Sequence, residues 1–176
     1  MEYTEDYEDY IAENNILGNV RSHNDQLYIC IPRWRNGVPA TLNKLANLSD
    51  GSSKLTPFPS LEANKVGNCH KALQNVAAIE IGPFGSSLWA VDSGTSAIYS
   101  RPNRKCPAKL VKINLNTKHF EVVHVFAPEI ISKNSLIMHL IVDRNRFYMS
   151  DILQGELKPI MGGHSETTLR GLVFTI

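Results

Sequence analysis

A motif recurs three times along the chain, and no other feature limits the fold as strongly. The stretches "HNDQLYICI", "FGSSLWAVD" and "DRNRFYMSD" each run from a polar turn into an apolar-aromatic pair, at Leu27-Tyr28, Leu88-Trp89 and Phe147-Tyr148. The pairs return at a period of about 60 residues, slightly longer than the commonest propeller repeats. The preceding strand returns too. "VAAIEI" before Gly82 and "MHLIV" before Asp143 hold the same place in their units, and "LVKINLNTKHFEVVHVF" supplies a third and fourth strand after the Trp89 unit. These runs, with "LYICI" and "RFYMS", are short, rich in Val, Ile and aromatics, and bounded by Gly, Pro, Asn or Asp, which predicts an all-β chain. Four short antiparallel strands per unit describe a β-propeller blade, and a blade buries its faces only against neighbours. About three units fit the chain, whereas closed propellers have about 4 to 8 blades. An incomplete ring is expected, with an apolar face and strand edges left open.

Charge narrows the partners. Lys+Arg 18 against Asp+Glu 17 leaves a net charge of +1, so no nucleic-acid or anionic-membrane partner is expected. No apolar run approaches the ~18 residues of a membrane span, and the acidic start "MEYTEDYEDY" is the opposite of a signal peptide's basic n-region. That start is expected to be a loosely held N-terminus over residues 1–12, followed by a partial propeller over 13–155 and a divergent segment over 156–176. Hydrophobic residues at 43% suffice for one ordinary core.

Three cysteines, Cys30, Cys69 and Cys106, show no CxxC spacing and no accompanying histidine cluster, so no metal is expected. Cys30, inside "LYICI", reads as a small core residue. Cys69 in "GNCHK" and Cys106 in "RKCPAK" lie in polar, turn-like contexts and are the candidate disulfide. "NLSDGSSK", from Asn47 to Lys54, reads as a surface loop carrying the glycosylation sequon Asn47-Leu48-Ser49. No nucleophile elbow, phosphate loop or HExxH occurs, and His23, His70, His119, His124 and His164 make no ligand set, so no cofactor is expected.

The order "IPRWRNGVPATL", then "PFPSLEANKVGNCHKALQNVAAIEIGPFGSSLWAVDSG", then "CPAKLVKINLNT" resembles the yellow and major royal jelly protein family of insects, from about Glu13 to Asp151. The resemblance implies a secreted, extracellular six-bladed propeller of roughly twice this length, linked to cuticle pigmentation and melanin formation. Phe84 stands where the family usually has Cys, Leu61 where it commonly has Trp, and Ala108 where it has a second Pro. Some members are dopachrome-conversion enzymes, and others bind biogenic amines or store food. A small aromatic molecule, dopachrome-like or an amine, is thus the partner that the resemblance implies.

Candidate site residues follow from the repeat. Ile31, Pro32 and Arg33 fall opposite Asp92, Ser93 and Gly94, so "PRWRNG" leaves its strand where "DSG" leaves its own. In a propeller this connection emerges on the face that also carries the loop into each innermost strand. Arg33, Trp34, Arg35, Asp92, Ser93 and Asp151 are therefore expected on one face with Gln74, Asn75 and His139. For dopachrome conversion, Arg33 or Arg35 would hold a carboxylate while Asp92, Asp151 or His139 moved the proton. For amine binding, Asp92, Asp151 and Trp34 would face the ammonium. Each residue also has a structural reading: the arginines as ion-pair locks on Asp92 or Asp151, Trp34 and Trp89 as core, His139 as a hydrogen-bonded strand residue, and the two aspartates as turn caps. An open half ring leaves a substrate exposed to water, so little dopachrome conversion is expected of this chain alone.

Overall fold

A computed structural model describes residues 2–144 and 146–153, together with the backbone of a strand at Leu172–Thr175. Of the divergent segment expected over 156–176, all but that strand lies outside the described residues. The first sheet pairs β1 (Asn19–His23), β2 (Gln26–Cys30), β3 (Leu42–Asn47) and β4 (Ser53–Pro57) in sequence order. The second pairs β5 (Val76–Ile81), β6 (Ser87–Asp92), β9 (Lys109–Asn114) and β10 (Phe120–Val125), and a two-stranded hairpin, β7 (Thr95–Ser96) with β8 (Asn103–Arg104), is inserted between β6 and β9. The third pairs β11 (Ile137–Asp143), β12 (Arg146–Asp151) and β13 (Leu172–Thr175). Every named pairing is antiparallel. The chain is all-β and built of propeller blades, with the first strand of the second blade lying between the first strands of the other two.

The repeated dipeptide explains the stacking. Tyr28, Trp89 and Tyr148 are each the third residue of the second strand in their blade. Because side chains alternate across a strand, Leu88 faces the first blade and Trp89 the third. Leu88 accordingly joins Tyr28, Cys30, Leu42 and Phe58 of the first blade in one core. Phe147 and Met149 join Trp89, Val91 and Leu110 of the second blade in another. The Trp89 and Phe147 rings meet edge to face at 4.7 Å.

Two expectations need correction. The loop expected over residues 47–54 is shorter: Asn47 ends β3, and Ser53 and Lys54 open β4 across a tight hairpin, with Asn47 paired to Ser53. Cross-strand pairing satisfies these backbone groups, so the polar composition does not prevent strand formation. The N-terminal stretch, expected to be loosely held, is anchored at Tyr3. The Thr4 N–H donates to the Leu55 carbonyl and the Leu55 N–H to the Glu2 carbonyl, both at 2.8 Å. Tyr3 is only 6% exposed, packs with Ile29, Ile31, Val38, Ala40 and Leu55, and donates its hydroxyl to the Ala40 carbonyl at 3.2 Å. Tyr7 and Tyr10 set their rings edge-on against Tyr3. The backward face of the first blade, which the sequence leaves open, is thereby covered by the chain's own first residues. Burying one tyrosine there is worth on the order of 2–3 kcal/mol.

Candidate functional site

Asp92 and Asp151 end the second strands of their blades, and both use the carboxylate to hold backbone. Asp92 Oδ1 accepts from the N–H groups of Asn75 and Gly94, both at 2.9 Å, and Oδ2 accepts from Gln74 N–H at 2.8 Å. Asp151 Oδ1 accepts from Leu136 N–H at 3.0 Å and Leu153 N–H at 3.2 Å. In both blades, then, the acid clamps the residue just before the innermost strand and the residue two positions beyond itself. A register shift follows in each innermost strand, between Val76 and Ala78 and between Ile137 and His139. Such bulges re-aim side chains, and the residues they displace, Ala77 and Met138, both pack against Trp34 with Leu136 and Ile98.

Asp92 is fully buried, and the equally buried Lys109 ammonium lies 2.8 Å from its Oδ2. The contact is charge to charge rather than an aligned hydrogen bond. Lys109 is the register partner of Asp92 on the neighbouring strand. Its role went unread in the sequence, although an Asp ending one strand and a Lys opening the next is the available signal. Asn75 and Ser93 complete this buried network, with Asn75 Nδ2 donating to Ser93 Oγ at 3.2 Å and to the Thr95 carbonyl at 2.6 Å. Gly94 is required here at φ +68°, since a Cβ would meet the Cys106 backbone. Cys69 and Cys106 are joined in a disulfide with Cα atoms 5.2 Å apart.

Arg33 is 5% exposed and pairs directly with neither aspartate. Its Nε donates to the Val38 carbonyl at 3.0 Å, Nη1 to Leu73 and Gln74, and Nη2 to Pro39 and Asn64, the last two at 2.7 Å. Its own N–H donates to Asn75 Oδ1 at 2.7 Å. Burial lowers its pKa to about 10, an effect that the charge of Asp92 opposes. Trp34 is buried, meets Tyr99 edge to face at 5.5 Å, and leaves its indole N–H without a partner. His139 sits on the exposed face of β11, with Nδ1 2.8 Å from Ser150 Oγ.

Above Arg33 lies an open cavity of about 1000 Å³. Its walls come from the N-terminal segment (Asp6, Tyr7, Glu8, Asp9), the loop after β2 (Arg35 to Pro39), the loop after β4 (Leu61, Glu62, Asn64, Lys65, Val66) and the inserted hairpin region (Ser96, Asn103, Lys105). Of the expected site residues, Arg33 and Arg35 reach this cavity. Gln74, Asn75, Asp92 and Ser93 form the buried support beneath the arginine loop, Trp34 packs aside, and Asp151 and His139 belong to the third blade. The acidic-aromatic wall from Asp6 to Asp9 belongs to the stretch that local composition presents as a loosely held N-terminus. Its signal there is the alternation of acids with tyrosines. Among the described residues no group of His, Cys, Asp and Glu is placed to hold a metal ion, and no helix is long and apolar enough to cross a membrane.

The major royal jelly protein family model matches residues 76–156, which hold the second blade and the first two strands of the third. Protein yellow of Drosophila pseudoobscura pseudoobscura and that of Drosophila melanogaster are each 32% identical over 111 residues, 62% of this chain and 20% of theirs. Protein yellow of Drosophila erecta is 29% identical over 137 residues, 77% of this chain and 25% of its own. The matched stretch thus spans a fifth to a quarter of the length of these relatives.

Proposed function

Because the chain belongs to the yellow and major royal jelly protein family, we propose that it is a secreted, extracellular protein of insect cuticle pigmentation and melanin formation that binds a small charged aromatic molecule. The observation that carries the binding role is the cavity over the junction of the first two blades. It combines an acidic wall, Asp6, Glu8 and Asp9, and the Tyr7 ring with basic groups, Arg35, Lys65 and Lys105. A cavity of about 1000 Å³ is at the large end for small-molecule sites. An amine with a catechol or indole ring would place its ammonium against the acids and its ring against Tyr7.

Dopachrome conversion is the second reading, and Arg35 at the cavity favours it as a cation for the substrate carboxylate. The proton would then be moved by Asp6, Glu8 or Asp9, since Asp92, Asp151 and His139 do not line the cavity. One experiment separates the two. The purified chain is titrated with dopamine and serotonin by calorimetry and, separately, mixed with dopachrome while its visible absorbance is followed. Amine binding that weakens in the Asp6→Asn, Asp9→Asn double variant, without dopachrome decay above the buffer rate, is expected. Decay that disappears with Arg35→Ala replaces binding by catalysis, and silence in both assays overturns the ligand reading.

A further inference from the structure

The N-terminal stretch "EYTEDYEDY" holds three tyrosines among acids, and the structure makes them unequal. Tyr3 is buried, with its hydroxyl committed to Ala40 and Asn15. Tyr10 is half-buried, and its C-terminal side continues into the uncharged Ile11 and Ala12. Tyr7 is half-buried, lines the open cavity, and has acids at all four flanking positions, Glu5, Asp6, Glu8 and Asp9, each of them exposed. Between Thr4 and Tyr10 the backbone adopts neither helix nor strand, so it can lie extended in another protein's active site without breaking a ladder.

We propose that Tyr7 is a tyrosine O-sulfation site. A transferase that binds a phosphosulfate anhydride and releases a nucleotide bisphosphate carries a strongly basic active site, and a tyrosine ringed by carboxylates is the complementary acceptor. In the transfer the phenolic oxygen of Tyr7 bonds to the donor's sulfur, the anhydride S–O bond breaks, and the nucleotide bisphosphate departs with that electron pair. The phenol proton passes to a base of the transferase. Burial and Glu5 raise the Tyr7 pKa, so the phenol is neutral at physiological pH and needs that base. The Cys69–Cys106 disulfide fits an oxidising compartment, where sulfo transfer rather than kinase chemistry meets a secreted chain. This inference rests on secretion, as the proposed function does, and is independent of which ligand the cavity takes. Once attached, the sulfate adds a permanent negative charge to a cavity that Arg35, Lys65 and Lys105 also line.

The test incubates the folded full chain with purified tyrosylprotein sulfotransferase and a sulfur-labelled phosphosulfate donor, and maps the label by peptide mass spectrometry on the wild-type protein. Label on Tyr7, lost in Tyr7→Phe and retained in Tyr3→Phe and Tyr10→Phe, is expected, with slower incorporation in the Asp6→Asn, Glu8→Gln double variant. Absence of label on the folded wild type, or label that maps elsewhere, overturns the proposal. So does a phosphatase-removable group on Tyr7 of the chain secreted from insect cells.

Discussion

Five backbone carbonyls converge on the Arg33 guanidinium, from Val38, Pro39, Asn64, Leu73 and Gln74. A charge buried in this way is tolerated because each donor has an acceptor, and removing it leaves carbonyls without donors in a dry site. Arg33→Met is expected to lower unfolding free energy by about 3 kcal/mol or more in a urea titration, whereas Arg35→Ala, at an exposed position, stays within ~0.5 kcal/mol. Two residues of one type, two positions apart in "PRWR", thus have unlike roles. Tyr3 yields a pH dependence. Its phenol is pushed up from 10.0 to about 12, chiefly by burial, so the folded state holds the proton more tightly than the unfolded state. The stability it contributes is fully present below pH 10.0 and is lost as pH rises towards about 12. In an alkaline titration of tyrosinate absorbance, the Tyr3 phase is expected to come late, towards pH 12, together with detachment of the N-terminal segment.

At the scale of elements, the acid that ends each second strand and the bulge in each innermost strand act together. The clamp fixes where the innermost strand begins, and the bulge turns Ala77 and Met138 towards Trp34. In the first blade the alignment puts Ile31 at the acid's place, and Ile31 packs in the core beneath Tyr3 instead. The N-terminal segment is therefore a structural element of the first blade. Deleting residues 2–10 is expected to uncover Ile29, Ile31 and Leu55, detectable as binding of a hydrophobic dye and as self-association on a sizing column. The disulfide closes a separation of 37 residues, which the chain-entropy account converts to about 3–4 kcal/mol. The Cys69→Ser, Cys106→Ser double variant should lose up to that amount in urea unfolding, with the cavity loop from Leu61 to Val66 loosened first in hydrogen exchange.

For the whole molecule, stacking of blades is the main cohesive term, and the third blade is held to the rest largely through the core around Trp89 and Phe147. Trp89→Ala is expected to cost about 3–5 kcal/mol. Native-state hydrogen exchange should show β11 and β12 losing protection while β1 to β4 keep theirs, because their own interface, around Tyr28 and Phe58, is untouched. Uniform loss across all three blades would show that the stack unfolds as one unit.

The sequence alone carried the blade architecture, because a pair such as Leu88-Trp89 must bury both residues and a strand sends them to opposite faces. Repetition of that pair at a steady period leaves stacked sheets as the consistent solution. It also marked "PRWRNG" and "DSG" as equivalent exits from their strands. The division of labour within those exits came from tertiary contacts alone. Arg33 is consumed by carbonyls brought from up to 41 positions away, while Arg35 is left to the cavity, and neither fate is written in local composition. Asp92 reads as a site acid until the fold brings Lys109 and three backbone N–H groups around it. The N-terminal acids and tyrosines read as solvated tail because nothing local shows the apolar face that Tyr3 covers. Periodicity is a local property and survives in one dimension. Which polar groups are satisfied, and which remain for a ligand, depends on partners distant in the chain, and only the packed structure brings them together.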